Sequence, residues 1–253
     1  MKRRLFIDAL AAMAMLLTAC GTNDGTEIPS VGSLQQLEGD STRYGLACDG
    51  CSDTIVVILC NLESNPDTFN ILEAMRQHRV IGRPRVGDEL ALMVDSADTT
   101  VAYSVVNINL LKNTWCYEVV PQLRPRADLT PEQQAEFSTR MPDSVRKRLM
   151  QPREYGFQLM SEQMVRPLGI TREQRIMKNI SPVIYPEVKR YRHWHIFNGR
   201  LVLNDTRTDS LGHTKTTISD TADFVMMRPD TLVLRFNDGT QQGYYRKSAP
   251  RKP

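Results

Sequence analysis

The stretch Tyr-Arg-His-Trp-His-Ile-Phe-Asn-Gly-Arg-Leu-Val-Leu-Asn, residues 191–204, constrains the fold more than any other part of the chain. Asn198-Gly199 is a type I′ turn signal, because both residues tolerate the positive φ that such a turn requires. A two-residue loop there fixes the register: Ile196 faces Leu201 and Trp194 faces Leu203, so these four share one face. His193 and His195 fall on the other. Downstream, "ADFVMM", "TLVLRF" and "QGYYRK" are separated by turns at "RPD" and "NDG", with Leu232, Leu234 and Phe236 alternating inward. These strands predict an antiparallel up-and-down meander, closing as a barrel or a strongly curled sheet.

A second β region lies upstream. "TRYGLAC" and "CSDTIVVIL" flank Asp49-Gly50, which predicts a tight hairpin with Cys48 and Cys51 opposite each other across the turn. "TFNILEAMRQHRVIG" is a short helix or an irregular strand. "VGDELALMV" and "TTVAYSVVNINLL" follow as strands on either side of "DSAD". Between the two β regions, Thr130-Pro131-Glu132-Gln133 combines an N-cap, a first-turn proline and a capping-box glutamine, which predicts a helix over 131–139. Further helices are expected at Ser144–Met150, where Arg146, Lys147 and Arg148 form a solvated face or a head-group site, and from Thr171-Arg172-Glu173-Gln174. "YGFQLM" is a strand candidate.

The first nineteen residues form a secretory signal: basic Lys2, Arg3 and Arg4, an apolar run from Ala9 to Leu17, then small residues. The apolar run is well short of the ~20 residues a membrane span needs. "LTAC" at 17–20 resembles the lipobox of bacterial lipoproteins. That resemblance implies cleavage before Cys20, lipidation of its thiol and a palmitate-bearing anchor. Gly21 follows where an aspartate would favour the inner membrane, so the outer membrane is expected, with either face open. Two or more acyl chains hold a protein to a bilayer stably, where one holds only reversibly. Residues 20–41 are polar and Gly-rich and are expected to serve as a flexible tether. The expected organisation is a signal at 1–19, the tether at 20–41, a small N-terminal antiparallel β-domain at 42–112, and a second β-domain at 113–253 with a helical insertion at about 128–178. The fold class is thus mainly β with minor α.

Charge narrows the partners. Removing three basic residues and one acidic residue with the signal leaves 29 Lys and Arg against 28 Asp and Glu. Such balance gives no electrostatic footprint for nucleic acid. The remaining cysteines, Cys48, Cys51, Cys60 and Cys116, are even in number, and an oxidising compartment makes disulfides the default. Of the three complete pairings, Cys48–Cys51 with Cys60–Cys116 is the first to test.

The cysteines also admit other chemistry. A thioredoxin-like site needs its first cysteine at a helix N-terminus, which lowers the thiol pKa, but the β-branched run from Ile55 to Leu59 opposes a helix. Ser52 stands where a c-type haem site needs histidine. A four-cysteine zinc site has irregular spacing here. His193 and His195 share a strand face and form a two-ligand metal candidate, for which Asp205 or His213 would have to supply the third. No nucleophile elbow, zinc-protease helix or phosphate loop is present in the sequence.

"LKNTWCYEVV" at 111–120 is similar to the opening strand of lipocalin-like barrels, whose Gly-x-Trp tryptophan is covered by an arginine of the last strand. Trp115 and Arg246 match that pair, and Asn113 stands in place of the glycine. With the lipobox and "YGLACDGCSDTIVVIL", the chain resembles the lipoproteins of the Bacteroidales order with a lipocalin-like C-terminal β-domain. The resemblance implies a cell-envelope location and a β fold but no particular activity. The expected role is a lipid-anchored protein that binds a small amphipathic ligand or an envelope partner, with no cofactor. The alternatives are an enzyme using Cys48 and Cys51, or His193 and His195, and a structural surface subunit.

Overall fold

A computed structural model of the chain describes residues 34, 36–169, 181–208 and 214–247. The signal segment, Cys20, most of the expected tether, the expected helix start at Thr171 and His213 lie outside the described residues. Among the described residues, no helix is long and apolar enough to cross a membrane.

The first sheet holds β1 (Thr42–Ala47), β2 (Ile55–Leu59), β3 (Asp67–Asn70), β4 (Val80–Ile81), β5 (Glu89–Val94) and β6 (Ala102–Asn107), in the order β3-β2-β1-β5-β6-β4. All its pairs are antiparallel except β4 with β6. The ambiguous "TFNILEAMRQHRVIG" segment resolves into β3, a one-turn helix α1 (Leu72–Arg76) and β4. Val56, Ile58, Phe69, Leu90, Leu92 and Val105 are buried together beneath this sheet.

The second sheet is the meander that the sequence announces. It comprises β7 (Thr114–Val119), β9 (Arg153–Leu159), β10 (Val165–Leu168), β12 (His193–Phe197), β13 (Arg200–Thr208), β14 (Thr214–Met227), β15 (Thr231–Phe236) and β16 (Gln241–Arg246). Its spatial order, β10-β9-β7-β16-β15-β14-β13-β12, is the chain order read around a circle. The two open edges approach each other through a bridge between Met164 and His193. Val165 N–H donates to Arg192 O at 2.7 Å and Trp194 N–H to Gln163 O at 2.8 Å. The result is a nearly closed eight-stranded antiparallel barrel, an arrangement that leaves little free strand edge.

The β12–β13 register is the expected one, with Trp194 opposite Leu203 and Ile196 opposite Leu201. Burying each of these four side chains contributes roughly 1.5–3 kcal/mol. Trp115, Phe157, Trp194, Leu203, Leu232 and Leu234 fill the barrel. The same apolar cluster takes in Ile81, Ala91 and Val106 of the first sheet, and Ile108 and Leu111 of the short helix α2 (Ile108–Leu111) between the sheets. The two sheets therefore share one core.

Packing also begins earlier than the expected fold start at residue 42. Leu34 is buried in the shared core and Asp40 is only 5% exposed. Asp40 Oδ1 accepts the backbone N–H groups of Thr42 and Asn198, and its Oδ2 accepts the Tyr44 hydroxyl. The Asn198-Gly199 turn is thereby gripped by the segment leading into β1. Thr42 Oγ1 accepts the Gly199 N–H, and the Asn198 side-chain oxygen accepts both the N–H and the hydroxyl of Ser41. Polar composition hid this ordered end of the supposed tether.

Between β7 and β9 the chain forms β8 (Gln122–Leu123), α3 (Pro131–Arg140) and α4 (Asp143–Leu149). The capping box on α3 is complete: Thr130 accepts the Gln133 N–H while the Gln133 side chain accepts the Thr130 N–H. β11 (Val183–Ile184) pairs with β8 as a two-stranded ribbon.

Candidate functional site

The helical insertion encloses an apolar cavity of about 430 Å³. Leu123 of β8, Phe137 of α3, Met141, and Val145 and Leu149 of α4 supply its walls, with Pro182 closing one side. Arg124, Arg126 and Arg140 stand among the lining residues. The helix α3 has no fully buried residue, and Phe137 stays 48% exposed. An amphipathic helix whose apolar face looks into a cavity rather than into packed side chains leaves that face available to a ligand.

The insertion is seated firmly on the barrel. Tyr155, Val183 and Tyr185 form a buried cluster joined by Tyr117, Leu123, Leu149 and Met150. Tyr155 donates its hydroxyl to Pro186 O at 2.8 Å, and Tyr185 donates to Gln151 O at 2.6 Å. The Arg153 guanidinium lies 4.0 Å above the Tyr185 ring, a cation–π contact. The cavity thus rests on a rigid floor.

Around the rim, charge is partly committed. Arg126 makes a two-pronged contact with Asp128, at 3.1 and 2.7 Å, and Arg140 pairs with Glu136 at 2.6 Å. Both pairs are exposed, so each contributes little and is readily exchanged for another anion. Arg124 donates through Nε to Ser181 O, tying β8 to the other side of the cavity.

A second cavity, of about 280 Å³, lies at the barrel mouth among Tyr117, Phe157, Tyr191, Phe236 and Tyr244. Tyr117 and Tyr244 meet edge to face with centroids 5.5 Å apart. Burial pushes the Tyr244 and Tyr191 phenols well up, and Asp220, which accepts the Tyr191 hydroxyl, adds to the shift for Tyr191. Both remain hydrogen-bond donors throughout the ordinary pH range. Lys189 pairs with the same Asp220 at 2.7 Å. The barrel interior beyond this mouth is filled with side chains.

The cysteines do not form the expected pairs. Among the described residues, Cys48, Cys51, Cys60 and Cys116 are all free thiols. The expected two-residue hairpin at Asp49-Gly50 is replaced by a longer loop, because β1 and β2 align Ala47 with Ile58 and Leu46 with Leu59. That register sends Val56 and Ile58 into the core and outweighs the local turn preference. Cys48 then meets Val57, with Cys48 N–H donating to Val57 O, while Cys51 sits in the loop. Cys51 Sγ accepts the Val57 N–H at 3.4 Å and lies 3.5 Å from Val57 O. Cys60 follows β2 in the first sheet, whereas Cys116 lies in β7 of the barrel, opposite Gly156 and Tyr245. Burial raises the Cys60 thiol, helped by the Asp67 carboxylate, and burial with the Glu154 charge raises that of Cys116. Neither is an activated thiolate. No helix follows Cys51, so the helix-terminus device of thiol oxidoreductases is missing from this motif.

His193 and His195 share the barrel's outer face, opposite Asn204 and Val202. No group of three His, Cys, Asp or Glu able to hold a metal forms among the described residues. Asp205 is instead 2% exposed and bound to Arg192 Nε at 3.1 Å and to the Thr217 hydroxyl. Burial lowers the His195 pKa, opposed by the Asp40 charge.

Trp115 and Arg246 are directly opposed residues where the first barrel strand meets the last. Trp115 is fully buried and donates its indole N–H to Leu111 O at 2.9 Å. The Arg246 side chain stays exposed and reaches toward Pro229 O. The insertion cavity was not foreseen in the sequence, since its walls come from segments 123–149 and 181–182 and no short motif marks them. The capping box points to α3 and the expected helix at Ser144–Met150 to α4, but neither marks a cavity between them.

No family model, curated protein or solved structure matches this chain. The fold and cavities define it as a mainly β protein, an eight-stranded antiparallel barrel-like sheet bearing an accessory sheet and a helical insertion.

Proposed function

We propose that this chain is a lipid-anchored protein of the bacterial cell envelope that binds a small amphipathic ligand beneath its helical insertion. The carrying observation is the 430 Å³ cavity, with Leu123, Phe137, Met141, Val145 and Leu149 as walls and arginines beside them. Its size lies within the range of small-molecule sites, and apolar walls with a few charged groups suit a ligand with an apolar body and an anionic head. The lipobox ending in Cys20 supports the anchor, and the signal ahead of it supports export. Outer-membrane placement follows from Gly21 by resemblance.

The binding reading is tested by titrating the full chain with 1-anilinonaphthalene-8-sulfonate, an amphipathic anion, and displacing it with laurate. Saturable fluorescence is expected, weakened at least tenfold in Val145→Trp, with an unchanged melting temperature. Equal binding by the variant would overturn the reading. Radiolabelled palmitate tests the anchor: incorporation is expected for the wild type and none for Cys20→Ala.

A further inference from the structure

At the opposite end of the barrel, a cavity of about 460 Å³ opens where the first sheet meets the closing strands. Four arginines reach it from three separate parts of the chain. Arg83 and Arg85 come from the loop before β5, Arg228 from the β14–β15 turn, and Arg246 from β16. The only carboxylate among the lining residues is Asp88. Its Oδ2 accepts the Arg85 backbone N–H at 2.9 Å and Asn107 Nδ2 at 2.7 Å, so it braces the loop. Among the described residues no ion pair joins it to an arginine. Arg83 pairs outward with Asp53, where both side chains are largely exposed. Arg85 and Arg228 have no carboxylate partner among the described residues.

This concentration of positive charge stands out in a chain with nearly balanced charge overall. Like charges gathered around one cavity repel, and the cost is offset when an anion occupies it. The loop carrying two of the arginines is held in place. Gly82 has φ +81°, and a Cβ there would come within 3.0 Å of Leu110, Asn107 and Met227, so the backbone lies directly on α2 and the end of β14. Leu110, Met227 and Pro229 give the cavity an apolar floor, while Asn109 and Asn113 add amides. Arginine side chains lining a cavity from several directions suit the oxygens of phosphate and carboxylate.

We infer that this cavity is a second binding site, separate from the insertion pocket, for a multiply charged oxyanion, with phosphate groups the best fit to the arginines that line it. The phosphate arrives either as a free phosphorylated molecule or on a lipid head group. Calorimetric titration of the full chain with inorganic pyrophosphate is expected to show saturable binding that weakens as salt rises. The double variant Arg85→Glu/Arg228→Glu alters two exposed side chains, so its melting temperature should hold. It should lose at least tenfold in affinity, while Val145→Trp should leave pyrophosphate binding unchanged. A second arm uses phosphatidylcholine vesicles with and without phosphatidic acid. A gain in binding on adding phosphatidic acid that the double variant loses assigns the phosphate to a lipid head group, even where pyrophosphate binds weakly. Failure of both probes, or equal binding by the double variant, overturns the inference.

Discussion

The Asp40 carboxylate accepts the backbone N–H of Asn198 at 2.8 Å, joining residues 158 positions apart in sequence. Asp40 is nearly buried, and it also receives the Thr42 N–H and the Tyr44 hydroxyl. Replacing it by alanine strands the two backbone N–H groups of Thr42 and Asn198 at the junction of the two sheets, while the Tyr44 hydroxyl keeps Ile196 O as an acceptor at 2.7 Å. Asp40→Ala is expected to lower the unfolding free energy by about 2–4 kcal/mol, since hydrogen bonds to charged groups are worth about 1.5–3 kcal/mol each and the losses are not additive. Denaturant unfolding should show a lower midpoint at constant slope, with Asp40→Asn losing less. An unchanged midpoint in Asp40→Ala would sink the idea that this contact fastens the sheets.

The turn that Asp40 grips is itself intolerant of a side chain. Asn198 and Gly199 have φ +49° and +71°, the type I′ pair. A Cβ on Gly199 would lie 2.6 Å from Met93 Cγ in the first sheet. Gly199→Ala therefore combines an unfavourable backbone region with a clash, costing on the order of 1–3 kcal/mol. Thermal unfolding should place it well below Gly239→Ala, whose added methyl meets nothing within 4 Å although its φ of +82° is similar. Equal losses would mean that the contact with Met93 adds nothing.

His195 gives the fold a pH dependence of defined sign. Burial lowers its folded-state pKa below the ordinary 6.5, so the native state favours neutral imidazole. Its contribution is present above pH 6.5 and is lost as pH falls through the folded-state value. His195→Asn is expected to flatten the decline of stability on the acid side of pH 6.5, measured by urea unfolding at a series of pH values. A parallel decline in both proteins would show that other groups govern it.

Thiol labelling separates the cysteines. Cys116 is fully buried and Cys60 half-buried, and both thiols are pushed up from their ordinary value of 9.0. Alkylation of the native protein should therefore spare Cys116, and Cys60 should react faster with each rise in pH past 9. Under denaturing, non-reducing conditions all four described cysteines should be modified. Protection of any pair there would restore the disulfide expectation.

Where alternation and turn chemistry agree, the sequence is readable to the single residue, as the Trp194–Leu203 pairing illustrates. Around Cys48 they conflict. Asp49-Gly50 favours a tight turn, but burial of Val56 and Ile58 demands the register that opens a longer loop. Tertiary burial prevailed there, and it carried the cysteines apart. Leu34 and Asp40 are illegible because scattered apolar and acidic residues in a polar run carry no periodic signal. The two larger cavities were illegible for a related reason. Each draws its lining from segments far apart in the chain, joined by the β8–β11 ribbon in one case and by the meeting of the two sheets in the other.

Trp115 and Arg246 join the first and last barrel strands, which are separated by most of the barrel's own sequence. Until the last of these strands is made, the first has no neighbour on that side, and its pairing is among the most non-local in the fold. A chain emerging from the ribosome thus stays short of its finished barrel for most of its synthesis. Until then the first barrel strand presents an unpaired edge on that side, a ready template for pairing with another chain.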